Sequence, residues 1–362
     1  MTGDAAVRIG IIGLGNIGRH HADQLRTSGG QLVGGVDILP EARERFAIDY
    51  GVETYAEAEE LFSVADAVII TTPNRFHEEY AVRALEAGLD VLLEKPLAHD
   101  VESAERIAAV AADSDGICMV GFHNRFLPPV EVLKDRIDAG RFGEVTHVDA
   151  NYVRRRGIPG RGSWFTDRSI AGGGALIDIG VHALDVALYL LDFPEIEEVS
   201  GVTRSEFGTR EDYTYLFMWG EDDSGGEFDV DDSATAFVRC AGGRTISLDV
   251  AWAANQPNDD SITVRGTDAG ARFDRGDESL EVYRTSEGGA PHFADQQVTT
   301  REVNAHAAEQ RVFVEAVEAG VQPERNTVEQ ALAVQRVIDA IYRSSERGEA
   351  VGVPAGTTAT TE

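Results

Sequence analysis

Three sets of residues in this chain have types and spacings that can do chemistry. The first is a single lysine. Lys95 stands in the stretch VLLEKPLAHD, between Glu94 and Pro96, at the end of an apolar run. The chain has one other lysine, Lys134, and the remaining 30 of its 32 basic residues are arginine. A guanidinium keeps its proton and presents a broad planar fork, whereas an ammonium is compact, turns its donors freely and can lose its proton. Lys95 therefore reads as a residue chosen for what arginine cannot do. The plain alternative is a lysine paired with Glu94. The second set is Asp178 and His182 in AGGGALIDIGVHALDVALYLL. Residues four apart share a helix face, and an imidazole held by a carboxylate suits acid–base work near neutral pH. Taken alone, the pair leaves a purely structural histidine open. Asp185 makes a triplet, but a metal needs a further ligand that the sequence does not nominate, so no metal is expected.

The third set is Gly13-Leu14-Gly15-Asn16-Ile17-Gly18, a GxGxxG. Its glycines allow a tight turn, close approach of backbone to a pyrophosphate and close helix–strand packing. It follows a strand-like run, precedes a helical segment over 17–27, and is followed by the strand QLVGGVDI. Asp37, about 20 residues beyond the last glycine, can take the hydroxyls of an adenine ribose. Its charge would repel a 2′-phosphate, and Ile38 and Leu39 offer no cation, so NAD is favoured. Arg43, a helical turn further on, keeps NADP possible.

These residues need elements to place them. Helical patterns over 41–49, 57–63 and 77–87 alternate with strand-like runs over 66–71, 90–94 and 117–121, and Asp100 caps a helix to about 112. Such alternation means a parallel, doubly wound sheet, whose ligands lie at the C-terminal strand edge. That edge receives Thr72-Pro73-Asn74 and Lys95. Beyond it come a helix over 130–139, a strand over 144–153 and a helix opened by three glycines near 172. Strands are expected at 197–206, 228–240, 243–253, 259–266, 271–274 and 280–284. Alternation in SATAFVRC and TISLDVAW predicts an antiparallel sheet covered on one face. The acidic run 221–232 reads as a solvated loop. Helices follow over 303–319 and 327–346, where Thr327 and Gln330 have capping-box spacing. The chain is read as an α/β dinucleotide-binding domain over 1–122, an α+β domain over 123–354 and a frayed tail over 355–362.

Composition excludes some functions. The net charge of −31 repels phosphate backbones, so no nucleic acid partner is expected. Acidic, lysine-poor composition resembles salt-accumulating halophiles, in which salt screens the self-repulsion. Cys118 and Cys240 have neither metal nor redox spacing and suit a reducing compartment. The N-terminus has no signal-peptide pattern and no apolar run approaches the length of a membrane span, so a cytoplasmic protein is expected, with no membrane partner.

The order GLGNIG, TTPNRFH, EKP and GGGALIDIGVH resembles the glucose–fructose oxidoreductase/inositol dehydrogenase (Gfo/Idh/MocA) family over nearly the whole chain. The resemblance implies a Rossmann domain followed by a domain with a large open, mainly antiparallel sheet, whose outer face joins homodimers or homotetramers. It implies that Lys95 contacts the reacting hydroxyl, that His182 is the acid–base and that Asp178 is its aspartate. Thr72-Pro73-Asn74 with His77 would form a cofactor-contacting loop. Glu94 and Lys95 would flank the nicotinamide, with the Lys95–Pro96 bond often cis. The implied activity is hydride transfer between NAD(P) and a secondary alcohol of a sugar or cyclitol. Arg125, Tyr152, Arg154, Arg156, Arg161 and Trp164 are candidates for the substrate wall. Trp164 either stacks on a sugar face or closes a domain interface. The arginines either read an acidic group or pair with local acids such as Asp167 and Glu144, and a neutral substrate is favoured. Two alternatives share the fold: an NAD-dependent glycosidase and a non-catalytic NAD-sensing regulator. Lys95 and His182 argue against the regulator.

Overall fold

The computed structural model describes residues 6–214, 222–223, 226–286 and 288–353. The apolar run RIGII forms β1 (Arg8–Ile12), buried at every position but the first. From it the chain alternates through α1 (Asn16–Ser28), β2 (Gln31–Val36), α2 (Pro40–Tyr50), β3 (Glu53–Tyr55), α3 (Ala58–Phe62), β4 (Ala67–Ile70), α4 (His77–Glu86), β5 (Asp90–Glu94), α5 (Val101–Asp113) and β6 (Cys118–Gly121). All six strands are parallel, in the order β3-β2-β1-β4-β5-β6. Residues 67–70 and 118–121 are buried without interruption, as strands covered on both faces must be. Each such Val, Leu or Ile contributes roughly 1.5–3 kcal/mol by leaving water. Asp100 caps α5 by accepting from Ser103 N at 2.7 Å, as its position predicts. The short β3 was not anticipated: its three residues are half-exposed and carry no apolar pattern.

The second stretch runs through α6 (Pro128–Asp138), β7 (Val145–Val153), α7 (Arg168–Ala171), α8 (Val181–Leu190), β8 (Ile196–Arg204), β9 (Ser233–Cys240), β10 (Thr245–Ala251), β11 (Ser261–Gly266), β12 (Gly270–Asp274), β13 (Ser279–Tyr283), the pair β14 (Thr285–Ser286) and β15 (His292–Phe293), and β16 (Gln296–Val298). Then come α9 (Ala305–Ala319), α10 (Val328–Arg347) and β17 (Val351–Gly352). Nine strands form one sheet in the order β16-β13-β12-β11-β7-β10-β9-β8-β17. Its pairs are antiparallel except β7 with β10. β9 alternates strictly, with Ala234, Ala236, Val238 and Cys240 buried, so only one sheet face belongs to the core.

The chain divides into two compact units. One comprises the residues up to Leu127 with Ser169–Gly172 and Glu302–Gln335; the other holds Pro128–Arg168, Gly173–Arg301 and the chain from Arg336. The sequence reading puts 123–354 into one domain and 355–362 into a frayed tail, which lies outside the described residues. It missed that α9 packs on α1, because no change of composition marks the return. Thr327 supplies half of the expected capping box by accepting from Gln330 N at 3.3 Å, while the Gln330 amide donates instead to Glu324 O.

The segment Arg168–Leu190 is long and apolar enough to cross a membrane by composition, but 89% of its most apolar window is buried within the fold, as in a core helix. The acidic run is not wholly solvated: Asp231 and Asp232 are buried and accept backbone N–H groups.

Candidate active site

At the tip of β1 the chain turns at Gly13, with φ of +96°. A Cβ there would lie 2.9 Å from the Thr71 carbonyl, and one on Gly18 would lie 2.0 Å from Gly13 O. Gly15 faces open space instead. Thr71 Oγ1 donates to Gly13 O at 2.6 Å and pins the turn. α1 then opens at Asn16 and Ile17, with neither a side-chain cap nor an acid in its first turn. Its N–H groups and dipole are left to meet an anion. Asp37 is locked beside them: Oδ2 accepts from Leu14 N and Oδ1 from Leu39 N, each at 2.8 Å. Arg43 donates to the Asp37 backbone oxygen at 2.7 Å. An open glycine, bare helix N–H groups and a fixed carboxylate fit the pyrophosphate and ribose of a dinucleotide.

Thr72-Pro73-Asn74 follow β4. Asn74 is buried and donates to Ala171 O at 2.8 Å. His77 is also buried, with its ring nitrogens 2.9 Å from Thr72 O and from Pro96 O. Burial pushes its pKa down despite those carbonyls. Both ring nitrogens face backbone oxygens, and a neutral ring donates to only one of them, so His77 packs between the Thr72 loop and the Pro96 turn with neither nitrogen turned to a ligand. Its expected cofactor contact is corrected to loop support.

Lys95 is half-buried at the end of β5, and the Lys95–Pro96 bond is cis. Glu94 is buried beneath it. Its Oε2 accepts from Lys95 N at 3.0 Å, and its Oε1 lies 2.7 Å from His21 Nε2. Burial opposes the Glu94 charge, but the hydrogen bond to His21 and the neighbouring Lys95 outweigh it and hold the carboxyl well below its ordinary pKa. Arg125 has no exposed surface; its guanidinium bonds Gln330 and lies 5.2 Å from the centre of the Phe122 ring. That burial takes it out of the substrate wall.

In the second unit, the three glycines are explained by what lies against them. A Cβ on Gly174 would lie 1.8 Å from Asp231 O, and one on Gly173 would lie 2.0 Å from the Tyr342 hydroxyl. Asp231 accepts from Gly174 N at 2.8 Å, Leu176 N at 2.9 Å and Tyr342 OH at 2.8 Å, clamping the start of the helix. The helix is not regular as expected: Leu176–Gly180 form a π turn before α8. Such turns recur at functional sites. A Cβ on Gly180 would lie 3.2 Å from Val250, so that glycine lets the helix lie close on β10. Asp178 and His182 are buried, at 8% and 7% exposure. Asp178 Oδ2 accepts from the indole of Trp252, itself fully buried, at 3.0 Å. The sequence reading missed Trp252, Asp231 and Tyr342. Trp252 ends the alternating run TISLDVAW, and a buried indole N–H demands an acceptor, which was the available signal.

The substrate-wall candidates separate. Arg154 donates to Tyr152 OH at 2.9 Å. Burial opposes its charge, but Tyr152, Asp178 and Asp260 outweigh it and tighten its hold on its proton. Arg275 lies 3.4 Å from the centre of the Tyr152 ring. Arg161 is closed by a two-pronged pair with Asp222, at 2.9 and 2.8 Å. Arg156 bonds the backbone of Arg155 and Ala254 and the Asn255 side chain. Trp164 stacks on Phe165 at 3.7 Å between ring centroids.

Comparison with known proteins accords with this arrangement. Residues 7–122 match the oxidoreductase family with an NAD-binding Rossmann fold, and residues 130–272 match the GFO/IDH/MocA C-terminal domain. The chain is 30% identical over 343 residues to inositol 2-dehydrogenase of Rhizobium meliloti (strain 1021), spanning 93% of this chain and 96% of the relative. It is 29% identical over 352 residues to D-glucoside 3-dehydrogenase of Escherichia coli (strain K12), spanning 95% and 97%. A levoglucosan dehydrogenase solved with NADH and levoglucosan shares the fold, with a TM-score of 0.86 and 23% identity over 97% of this chain and 100% of that one.

Proposed function

The chain belongs to the GFO/IDH/MocA oxidoreductase family, and from that premise we propose that it is a sugar or cyclitol dehydrogenase acting on a secondary CH–OH group. The observation that carries the reading is Asp178, held by Trp252 one turn before His182 on a clamped helix. NAD⁺, when bound, supplies the hydride acceptor. His182 takes the hydroxyl proton of the substrate, a step worth about 10²–10⁴ in rate for such a base. Lys95 donates to the reacting oxygen and stabilises its developing charge. Asp178 orients the imidazole or takes a second hydroxyl. The reverse reaction uses the same groups. Asp37 favours NAD over NADP, because its carboxylate, fixed by Leu14 N and Leu39 N, would repel a 2′-phosphate.

Tyr152, Arg154 and Trp164 are the proposed substrate contacts. A neutral polyol is favoured over an acidic or phosphorylated sugar, since the nearby guanidiniums already have local partners: Arg161 has Asp222, and Arg154 lies in the field of Asp178 and Asp260. The outer face of the nine-stranded sheet, with Val202 at 49% and Phe237 at 40% exposure, is the proposed homodimer or homotetramer surface. Two buried cysteines with thiols pushed up to about 12 and about 11 by burial suit a reducing cytoplasm. The surplus of negative charge argues against nucleic acid partners.

The test follows reduced nicotinamide in molar KCl with inositols, aldoses, sugar acids and simple glycosides, each with NAD⁺ and NADP⁺. Turnover of a neutral polyol that collapses in Lys95→Arg and in His182→Ala, while NAD still binds, is the expected result. Release of a sugar from a glycoside without net NADH would replace this reading with the glycosidase. Cofactor binding without any turnover would leave the NAD-sensing regulator.

A further inference from the structure

A buried hydrogen-bonded chain leads to Lys95 from the far side of the nucleotide-binding unit. Gln310, on α9, is fully buried. Its Nε2 lies 2.7 Å from His21 Nδ1 and 3.1 Å from the His21 backbone oxygen. That carbonyl only accepts, so the amide must turn its NH₂ toward it; the opposite orientation would set two oxygens against each other. Nδ1 of His21 therefore accepts a hydrogen bond and carries no proton, and the ring N–H sits on Nε2. Nε2–H donates to Glu94 Oε1 at 2.7 Å, and Glu94 Oε2 accepts from Lys95 N at 3.0 Å. Each link fixes the next: carbonyl, amide, tautomer, carboxylate, lysine. A buried carboxylate deprived of its donor is an expensive defect, so the chain specifies one state of the turn that carries Lys95.

We propose that His21 and Gln310 are positioning residues, which act through Glu94 to fix the place and the electrostatic surroundings of the Lys95 ammonium. The proposal rests on the reading that Lys95 works on the reacting oxygen, and it deepens that reading. Neither residue touches substrate in it; both act through another group. The groups that face Glu94 are His20 and His21 of α1, His77 of α4, Lys95 itself and His306 of α9, and His123 stacks on His306 at 3.8 Å.

The composition of the chain provides a readout that needs no substrate. With only Lys95 and Lys134 present, acetic anhydride labelling resolved by peptide mass spectrometry reports Lys95 against an internal standard. Lys134 lies in the other unit, ion-paired to Asp138 at 2.5 Å. In His21→Leu and Gln310→Leu, the ratio of Lys95 to Lys134 acetylation should change by about threefold or more. Turnover should fall by about tenfold with little change in NAD affinity, and in a Lys95→Met background neither substitution should lower turnover further. An unchanged labelling ratio in a folded Gln310→Leu protein would overturn the proposal, even if His21→Leu misfolds. So would kinetic losses that simply add to that of Lys95→Met, because a merely structural role predicts additivity. If the wild type turns over no polyol, the dehydrogenase reading falls and the labelling ratio still decides the positioning claim.

Discussion

At the scale of single residues, the chemistry rests on buried polar groups whose partners can be named. Trp252→Phe keeps an aromatic ring but removes the one donor the indole offers Asp178, together with part of a fully buried side chain. It should cost about 1–3 kcal/mol of stability and lower kcat/KM by about tenfold, read by thermal unfolding and polyol turnover. His306 makes a pH prediction with a definite sign. Burial lowers its pKa to about 4, helped by His21, His20 and Lys95 and opposed by Glu94. A base whose pKa is depressed on folding contributes stability that is full above the unfolded value near 6.5 and is lost as pH falls toward about 4. Glu94, also depressed on folding, adds a loss below the ordinary carboxylate range. Melting temperature should therefore fall between pH 7 and pH 4 by an amount corresponding to roughly 2–3 kcal/mol, and His306→Phe should flatten that slope. Legibility at this scale was uneven. Lys95 announced itself by rarity, and Asp37 by its distance from the glycines. Asp231 lay hidden at the end of an acidic run, because charge in a sequence does not reveal which acids find backbone donors.

Elements were legible where one local rule decided them. β5 is found where its apolar run predicts, and α5 starts at its cap because Asp100 meets Ser103 N. The π turn at Leu176–Gly180 is not readable from the sequence, since the contacts of Gly180 with Val250 and of Leu176 N with Asp231 are set by residues far along the chain. The return of α9 to the first unit was equally silent: its contacts with α1 are long-range, and its sequence reads as any amphipathic helix. The clamp on the helix start gives a graded prediction. Gly174→Ala should be severe, because its Cβ would overlap a buried carbonyl oxygen that has no room to retreat. Tyr342→Phe removes only one of three donors to Asp231 and should cost about 1 kcal/mol. Comparing denaturant midpoints orders the two, and equal losses would mean that the clamp is not what holds the helix start.

At the scale of the whole molecule, charge dominates. Even if every one of the 32 basic residues were paired, 31 of the 63 acids would remain without a cation. The visible surface pairs, such as Arg8 with Asp66 and Arg106 with Glu78, lie at the surface, where water and salt screen them and they contribute little. Salt weakens those attractions and the general repulsion together, but the repulsion involves many more charges, so net screening should stabilise the fold. The melting temperature should rise steeply from about 0.05 M to about 0.5 M KCl and then level off, as the Debye length contracts from about 14 Å toward about 4 Å. A rise that instead continued in proportion to concentration, and was larger in sulfate, would be exclusion of salt from apolar surface. Replacing exposed acids away from the site, such as Glu102, Glu105 and Asp113 of α5, with their amides should lower the salt dependence without changing the plateau. A melting temperature that is flat or falls with KCl would show that the acidic excess is no burden to this fold, and the halophile reading would lose its physical basis.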